Sequence, residues 1–491
     1  MTKRFFHWLA LLLAAMLPLL AQAQFTFTTN NGAITITGYT GSGGEVVIPQ
    51  ATNGYPVTSI GDYAFYNQTN LTNLTLPEGL TNIGLGGFDR CTGLTSLVIP
   101  GSVTTIGEGG LAGCTSLTNL VIPGSVISLE DHVCDGDGSL TTVSIGSGVL
   151  HMGTMAFYNC QQLQSITLGN TLTNIGVEAF IFCTNLRSIK IPDSVTGIED
   201  SAFFACRSLT NLDLGKGVAT ISVNAFKYCA FANLTIPGSV KMIGSDCFSY
   251  CANLVTVHLS NGVTSMGVAA FENCGRLASI NIPASLTNMG GGLFNFCTSL
   301  TNVSLPEGCT SIVDGMFYEC SNLVQITLPE SVTSIGNWAF RNCGLISITI
   351  PAGVTNIGDS AFVVCTNLTS VYFQGAAPAY VGPYAFSGAT AATGYYLPGT
   401  TGWGSTLGDL RVVLWNPQAQ TGDASFGVRT NVFGFNITAL TGTNALPFVV
   451  EASTDLANPV WQPVQTNVGS MYFSDPQWSN YPGRFYRLRA W

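Results

Sequence analysis

Residues 157–183 read FYNCQQLQSITLGNTLTNIGVEAFIFC, and at Cys183 the same string begins again. The pattern recurs from about Ile60 to Leu397. Its clearest marker is a column of cysteines at steps of 22 or 23 residues, with one step of 46, which is twice 23: Cys91, Cys114, Cys160, Cys183, Cys206, Cys229, Cys251, Cys274, Cys297, Cys320, Cys343 and Cys365. A fixed period in this range is the sequence signature of a solenoid, in which each repeat forms one coil. We call one such coil a rung.

Each repeat has two halves. The first half, for example residues 117–123, alternates apolar and polar residues and predicts a short strand. A proline or glycine ends that strand, since proline has no N–H to give to a sheet. The second half, for example residues 106–114, has apolar residues at roughly helical spacing and predicts a short helical or 3₁₀ segment. Stacked rungs bury each other's apolar side chains, and about 15 rungs at about 4.8 Å each give a body about 70 Å long.

The Leu-x-x-Leu-x-Ile-Pro strand, the Ile-Gly, the Ala-Phe pair and the cysteine together resemble the BspA-like (Treponema pallidum type) leucine-rich repeats. The resemblance covers roughly residues 56–400, about 70% of the chain. It implies an α/β repeat solenoid with a parallel β-sheet on one face and short helical or 3₁₀ segments on the other. It also implies an exported or surface protein that binds other macromolecules, such as host matrix proteins in some members, and it implies no catalytic residues.

Composition divides the chain into five parts. Residues 1–23 combine a basic start, an apolar run and an Ala-x-Ala site, and they predict a signal peptide. Residues 24–55 predict an N-terminal β cap, residues 56–400 the solenoid, and residues 401–415 a C-terminal cap. Residues 416–491 lack the repeat and predict a small all-β, sandwich-like module, which resembles a C-terminal module of exported bacterial proteins. We therefore expect a secreted, periplasmic or cell-surface protein.

Charge limits the partners. Charged residues are only 9% of the chain, the net charge is −10, and Lys and Arg together number 16. Nucleic acid is a poor candidate partner, because phosphate binding needs clustered cations, and the sequence predicts that none is bound. A neutral polar surface instead suits an extracellular protein or glycan. The mature chain has no predicted membrane span, since the apolar run is short and ends at a cleavage motif. The sequence predicts no cofactor and carries no signal that sets an oligomeric state.

Fifteen cysteines in an exported chain first suggest disulfides. In a stacked column, however, the Cα–Cβ vectors run side by side instead of pointing at each other. Buried cysteine also packs well as a small apolar residue. We therefore expect free buried thiols in the column. Cys134, Cys247 and Cys309 lie off the column and are the candidates for pairing or reactivity.

The outward-facing side of the strand column is the predicted binding surface, because in leucine-rich repeats this sheet lines the concave face. Most of its positions hold Asn, Ser or Thr. Five residues break the neutral background and are the predicted contacts: Arg187, Lys190, Asp213, His258 and Tyr372. The alternative is a surface that is merely soluble.

One rung is unusually acidic. Asp131, Asp135 and Asp137 surround His132 and Cys134, and carboxylates on a Gly-turned loop can bind calcium, while His with Cys can bind zinc. The alternative is a solvated, degenerate rung, since Asp137 takes the cysteine position and Cys134 the phenylalanine position of the repeat.

A threonine column has two interpretations. The hydroxyls could bond the backbone and stack on their equivalents, or they could match ordered water as in ice-binding solenoids. The column contains Thr81, Thr104, Thr173, Thr196, Thr264, Thr287, Thr310, Thr333 and Thr355.

Enzyme motifs are missing from the sequence. Only His132, His151 and His258 follow the predicted cleavage site, and no nucleophile elbow, zinc-protease motif or phosphate loop occurs. We therefore predict non-enzymatic, adhesin-like binding of a protein or glycan. The competing prediction is a structural or spacer component of the cell surface without a specific ligand.

Overall fold

The computed structural model describes residues 24–415, 418–419, 421–422, 426–429, 432–438, 448–467, 472–481 and 483–490. The predicted signal peptide, residues 1–23, lies outside the described residues. Five strands precede the regular repeats: β1 (Phe25–Asn30), β2 (Ala33–Tyr39), β3 (Gly44–Val47), β4 (Ala51–Thr52) and β5 (Tyr55–Ile60).

The repeats contain two short strands in most rungs, and about 16 turns stack, close to the expected 15. The strands are β6 (Leu71–Thr75), β7 (Asn82–Ile83), β8 (Ser96–Leu97), β9 (Thr105–Ile106), β10 (Asn119–Ile122), β11 (Ser128–Leu129), β12 (Thr142–Ile145), β13 (His151–Met152), β14 (Ser165–Thr167), β15 (Asn174–Ile175), β16 (Ser188–Lys190), β17 (Gly197–Ile198), β18 (Asn211–Asp213), β19 (Thr220–Ile221), β20 (Asn233–Ile236), β21 (Met242–Ile243), β22 (Thr256–Leu259), β23 (Ser265–Met266), β24 (Ser279–Asn281), β25 (Asn288–Met289), β26 (Asn302–Ser304), β27 (Ser311–Ile312), β28 (Ser334–Ile335), β29 (Ser347–Ile350), β30 (Asn356–Ile357), β31 (Ser370–Phe373), β32 (Tyr380–Val381), β33 (Thr393–Tyr396), β34 (Thr406–Leu407) and β35 (Leu410–Leu414).

The first strand of each rung builds the strand face, a column of parallel pairs. Within it, β10 pairs with β12 and β12 with β14 at a constant offset of 23 residues. In β10 the side chains of Leu120 and Ile122 are buried, whereas those of Asn119 and Val121 are exposed. The alternation fixes the register, because a slip of one residue would turn the apolar side chains outward.

A second column of two-residue strands, from β7 to β32, runs beside the first and was not predicted. It lies at the Thr-x-Ile part of the repeat. Threonine hydroxyls there donate to the carbonyl of the preceding rung, as from Thr104 to Thr81 and from Thr196 to Thr173, both at 3.2 Å. These bonds confirm the structural interpretation of the threonine column.

The last part of each rung, which we call the turn face, is turns and not helix, so the predicted helical or 3₁₀ segments are wrong. Tyr63 and Asn67 have left-handed backbone, with φ of 55° and 58°. The N–H groups of Tyr63, Phe65 and Asn67 donate to carbonyls of the next rung at 2.8–2.9 Å. In an α-helix those N–H groups would bond within their own segment, so bonding between rungs replaces the helix. Among the described residues the one helix is a 3₁₀ turn, Trp478–Asn480.

Phenylalanine rings stack through the core as a ladder. Consecutive rings lie 5.0–6.1 Å apart between centroids, with interplanar angles of 0–18°. The ladder contains Phe157, Phe180, Phe203, Phe226, Phe248, Phe271, Phe294, Phe317, Phe340, Phe362 and Phe386. In the two rungs before it, Leu111 and Cys134 take the phenylalanine position, and both are fully buried. The aromatic stack is therefore interrupted at the acidic rung.

The cysteine column is a second ladder beside the phenylalanines. Each of its thiols donates to a backbone carbonyl at the phenylalanine position of the preceding rung, with S···O distances of 2.9–3.4 Å. All fifteen cysteines are free and buried. Of those off the column, Cys309 donates to the Ser311 carbonyl at 3.3 Å. Burial raises the pKa of the thiols, to about 12 for Cys91 and for Cys365.

The first rung is covered by the hairpin of β1 and β2, which are antiparallel. The rings of Phe25 and Tyr39 pack on Phe65 at 6.3 and 5.4 Å. Strand β3 already pairs in parallel with β6, so repeat-type pairing begins inside the segment predicted as a cap. At the other end the Trp403 ring stacks on Tyr396 at 4.7 Å and covers the last rungs.

The C-terminal part is all-β. Its strands are β36 (Gln418–Ala419), β37 (Gly427–Arg429), β38 (Val432–Thr438), β39 (Phe448–Ser453), β40 (Gln462–Asn467), β41 (Tyr472–Asp475) and β42 (Phe485–Ala490). They form two antiparallel sheets, one around β38 and one around β39. Phe435, Val450 and Phe473 share a buried cluster with Trp415 at the end of the solenoid. This cluster joins the two sheets to each other and to the last rung.

The buried thiol ladder predicts chemical inertness. The thiolate is the reactive form, and a raised pKa keeps the native thiols protonated at pH 8. We expect Ellman's reagent to leave the native chain unmodified. After unfolding in guanidinium, each chain should react with fifteen equivalents of the reagent. Rapid native-state reaction of several thiols would contradict this arrangement.

Candidate functional site

The strand face carries the predicted contacts. Arg187, Lys190, Asp213 and His258 are exposed, and Tyr372 is half-buried. Lys190 and Asp213 are direct cross-strand partners in β16 and β18. Arg187 lies at the start of the Lys190 rung, and its carbonyl accepts the Thr210 N–H at 3.0 Å. The structure therefore brings three of the five predicted residues into two adjacent rungs.

A cleft of about 710 Å³ lies over these rungs. Its apolar lining comes from Ile166, Leu168, Ile191 and Leu214. Gly215 shapes one edge, because a Cβ there would lie 2.3 Å from the Pro192 carbonyl oxygen. The close approach of those two backbones explains why this rung has glycine where others have proline.

Charged residues of both signs line the same cleft: Lys190, Asp193, Asp213 and Lys216. The Asp193 carboxylate accepts the backbone N–H of Lys216 at 2.9 Å, which fixes its position. Across the described residues, the ion pairs within 4.0 Å include neither Lys190 nor Asp213. Their charged groups are thus available to a ligand.

The hydrogen-bonded sheet of the strand face is interrupted just after this cleft. One sheet ends at β18 and the next begins at β20. The rung between them is one residue short, since Cys229 and Cys251 are 22 apart. Phe231 fills the leucine position of that rung and is fully buried against Phe226, at 5.8 Å between centroids. A deletion after the cysteine thus accompanies a break in the sheet.

The second 22-residue step, from Cys343 to Cys365, has a similar interruption beside it. The sheet ends at β26, residues 324–327 form no strand, and pairing resumes at β29. A cleft of about 620 Å³ lies there, lined by Asn302, Gln325, Thr327 and Thr349 among others. The short steps in the cysteine column are the sequence signal that could have located both clefts. The predicted contacts did not include the apolar lining of the first cleft or any residue of the second.

His258 and Tyr372 lie apart from the first cleft. His258 is on β22, opposite Thr235 and Asn281. Tyr372 is on β31, five rungs beyond His258, which is about 24 Å at the spacing of parallel strands. Its ring lies 5.8 Å from that of Tyr395, and burial raises the pKa of its hydroxyl. The five predicted contacts therefore share one face but not one site.

The acidic rung does not assemble a metal site. Asp131 accepts the Thr154 N–H at 2.7 Å, and Asp135 pairs with the His132 ring at 2.9 Å. Asp137 points into the core and is fully buried. Within residues 24–415 and the described C-terminal segments, no group of three or more His, Cys, Asp or Glu side chains could hold a metal ion. The structure therefore does not bring Asp131, Asp135 and Asp137 together in the way that the metal prediction requires.

Asp137 instead occupies a position of the cysteine column, between Cys114 and Cys160. Neither carboxylate oxygen has a hydrogen-bond partner. Burial raises the pKa of this carboxyl well above its usual range, because the charged form loses its hydration. The rung therefore carries an acid in a place that suits a thiol.

The repeat matches a known family over most of its length. A family model described as "BspA type Leucine rich repeat region (6 copies)" matches residues 45–164, 129–231, 173–301, 219–323 and 292–401. Together these matches cover residues 45–401, more than half of the chain.

The chain belongs to the BspA-type leucine-rich-repeat family.

Solved structures similar to this BspA-type chain include bacterial leucine-rich-repeat proteins. A protein from Bacteroides ovatus is 26% identical, with a TM-score of 0.59 over 76% of this chain and 93% of its own. A leucine-rich cell-surface protein from Faecalibacterium prausnitzii is 28% identical, with a TM-score of 0.40 over 72% and 94%. The Treponema pallidum leucine-rich-repeat protein is 24% identical, with a TM-score of 0.26 over 57% and 89%. No curated protein sequence matches the chain.

In the part of the chain that the structure describes, no helix has the length and apolarity that a bilayer span requires.

The buried Asp137 of the BspA-type repeat predicts that its substitution raises the free energy of unfolding by an amount that depends on pH. Asp137→Cys restores the column and removes an unsatisfied buried group, which should raise the free energy of unfolding at pH 7 by about 1–3 kcal/mol. The pKa is higher in the folded than in the unfolded chain, so the part of the penalty that is linked to ionisation is absent below about pH 3.8 and grows as the pH rises above it. The cost of the unsatisfied carboxyl is present at every pH. Thermal unfolding of both chains between pH 3 and pH 8 measures the difference.

Asp131→Asn is the matched control, because Asp131 is exposed and bonded; it should give no gain. A gain for Asp137→Cys that does not change with pH would contradict the role of the buried charge.

Proposed function

We propose that this protein binds an extracellular protein or glycan without catalysis, in an adhesin-like role at or outside the cell envelope. The contact surface is the strand face, and its centre is the cleft at Lys190 and Asp213. Membership of the BspA-type family supports a binding scaffold. The observation that carries the proposal is the cleft itself, which combines an apolar lining with charges of both signs.

The size and chemistry of the cleft support recognition. Its volume of about 710 Å³ falls within the range of known ligand sites, which are lined mainly by apolar side chains with a few polar groups that fix orientation. Leu168 and Leu214 can bury an apolar group of the ligand. Lys190 and Asp213 can each pair with an opposite charge.

The setting of the cleft supports a large ligand. It opens onto the strand face, where exposed Asn, Ser and Thr side chains repeat from rung to rung, as at Asn119, Ser188, Asn211 and Asn302. Such side chains donate and accept hydrogen bonds without strong charge. A ligand anchored in the cleft could therefore extend along the face toward His258.

The remaining titratable groups support a role without catalysis. His132 is paired with Asp135, and His151 lies 3.3 Å from the Asn174 side chain. The cysteine thiols are buried with raised pKa values, and a protonated buried thiol is a poor nucleophile. Among the described residues these groups do not combine into a nucleophile and base.

An array of extracellular-matrix proteins and glycans tests the proposal. The double variant Lys190→Asp/Asp213→Lys exchanges the two charges across the strands, so it keeps an opposite pair and the net charge. We expect wild-type binding to saturate and the exchanged variant to bind at least tenfold more weakly, because the ligand's charges now meet like charges. His258→Ala should weaken the binding of a ligand that extends from the cleft along the strand face.

Glu307→Lys, an exposed reversal outside the cleft, is the control and should bind as the wild type does. If no array component binds saturably, the proposal fails and the competing role of structural spacer is favoured. If binding saturates but the exchanged variant is unaffected, the cleft is not the contact.

A further inference from the structure

The turn face carries a row of aromatic rings on the side chains that point away from the core. We call it the aromatic stripe: Tyr158, Phe182, Phe204, Tyr228 and Tyr250. Consecutive rings lie 6.0, 5.9, 5.5 and 4.9 Å apart between centroids. The stripe follows five consecutive rungs, which gives it a length of about 19 Å at the spacing of parallel strands.

The stripe is solvent-accessible and sharply bounded. Phe182 and Tyr250 are 36% and 37% exposed, and the other three rings are half-buried. The equivalent positions before the stripe hold Asp135 and Gly136, and those after it hold Glu272 and Asn273. Since the repeat itself accepts polar residues here, the rings are not needed to build the turn face.

Three of the rings stand on unfavourable backbone. Phe182, Tyr228 and Tyr250 have left-handed φ values of 61°, 64° and 59°. Other rungs place Asn at the same position, as at Asn159 and Asn342. Asn and Gly tolerate this conformation, whereas bulky residues are uncommon in it. Most rungs have a left-handed residue at this position, so the conformation belongs to the fold. These three rungs place a bulky ring where Asn or Gly would fit with less strain, and that choice of side chain points to a binding role.

Two cations lie beside the stripe, and one of them is paired. The Lys227 ammonium pairs with Asp246 at 2.9 Å and lies 5.4 Å from the centre of the Tyr250 ring. The Arg207 guanidinium is exposed and lies 5.7 Å from the centre of the Tyr228 ring. A polyanionic chain needs clustered cations, and one unpaired guanidinium is not a cluster, so a neutral ligand fits better.

The stripe is one or two side chains wide, which argues against a folded protein partner. A stable protein interface covers about 800 Å² and about 20–30 residues on each side. A linear chain lying parallel to the solenoid axis matches the observed shape. Edge-to-face contacts at 80–86° between the first four rings present ring faces and ring edges in turn.

Polar side chains run along one side of the stripe. The Lys227 ammonium pairs with Asp246 of the next rung. The Ser201 carbonyl accepts the backbone N–H of the stripe residue Phe204. The Asn224 carbonyl accepts that of Lys227, the neighbour of Tyr228. An ammonium and its paired carboxylate therefore lie beside the Tyr250 ring, and a serine and an asparagine lie three residues before Phe204 and Lys227. This combination suits sugars, whose C–H faces pack on aromatic rings while their hydroxyls bond to polar groups.

We propose that the aromatic stripe is a second binding site, which takes an extended, neutral, β-linked polysaccharide chain along the solenoid axis. The site is on the turn face and is separate from the cleft at Lys190 and Asp213.

Calorimetry with cellohexaose and chitohexaose tests the site on the full-length chain. Phe182→Asn and Tyr250→Asn introduce the residue that other rungs use at this position. The midpoint temperature of thermal unfolding should therefore not fall. We expect wild-type binding to at least one hexasaccharide and at least tenfold weaker binding in the double variant. Val364→Asn is the matched control, since Val364 has the same left-handed φ of 61° and is 41% exposed outside the stripe.

Each result decides the matter. No binding of either hexasaccharide by the wild type, or equal binding by the double variant, overturns the proposal. Equal binding of the α-linked maltohexaose overturns the requirement for an extended chain. If the double variant instead loses a matrix protein while no hexasaccharide binds, the stripe is a protein contact. Unchanged hexasaccharide binding by Lys190→Asp/Asp213→Lys keeps this site distinct from the strand-face cleft.

Discussion

Backbone hydrogen bonds between neighbouring rungs are the constraint on which the whole structure depends. On the turn face, alternate N–H groups such as those of Phe157 and Phe180 donate to carbonyls of the next rung at 2.7–2.8 Å. Two left-handed residues in most rungs aim these groups along the solenoid axis. Each rung supplies the hydrogen-bond acceptors for the N–H groups of its neighbour, which sets a constant spacing between rungs. The phenyl rings and the thiols are aligned because the backbone spacing is constant.

The same constraint accounts for two of the three interruptions of the strand face; the third, between β8 and β10, lies at a regular 23-residue step. A rung with one residue fewer cannot keep all its inter-rung bonds, and both 22-residue steps have an interrupted strand face beside them. The clefts at Lys190 and at Gln325 lie near these interruptions. Asp137 is the reverse case, in which the backbone remains regular and the side chain is forced into the core. A change in the length of a rung thus accompanies a cleft at the surface, whereas a change of side chain at constant length, as at Asp137, is accommodated in the core.

The two faces of the solenoid offer different kinds of contact. The strand face is flat and polar, and its main cleft joins Leu168 and Leu214 to charged residues. The turn face carries a row of aromatic rings from Tyr158 to Tyr250 and a separate pair at Phe296 and Tyr318. A repeat protein can hold both without conflict, because each rung contributes separate positions to each face and contacts only its neighbours.

The sequence by itself determined the period, the alternating strands and the buried cysteine column, because these depend on spacing within one repeat. It did not determine whether the second half of the rung is helix or turns, since the carbonyl that receives the Tyr63 N–H belongs to Leu85, in the next rung. It placed Lys190 and Asp213 on one face. Only the tertiary structure decided that they share a cleft and that Asp137 lies inside the core. Those features depend on the contacts between neighbouring rungs. The residue pattern within a single rung does not specify those contacts.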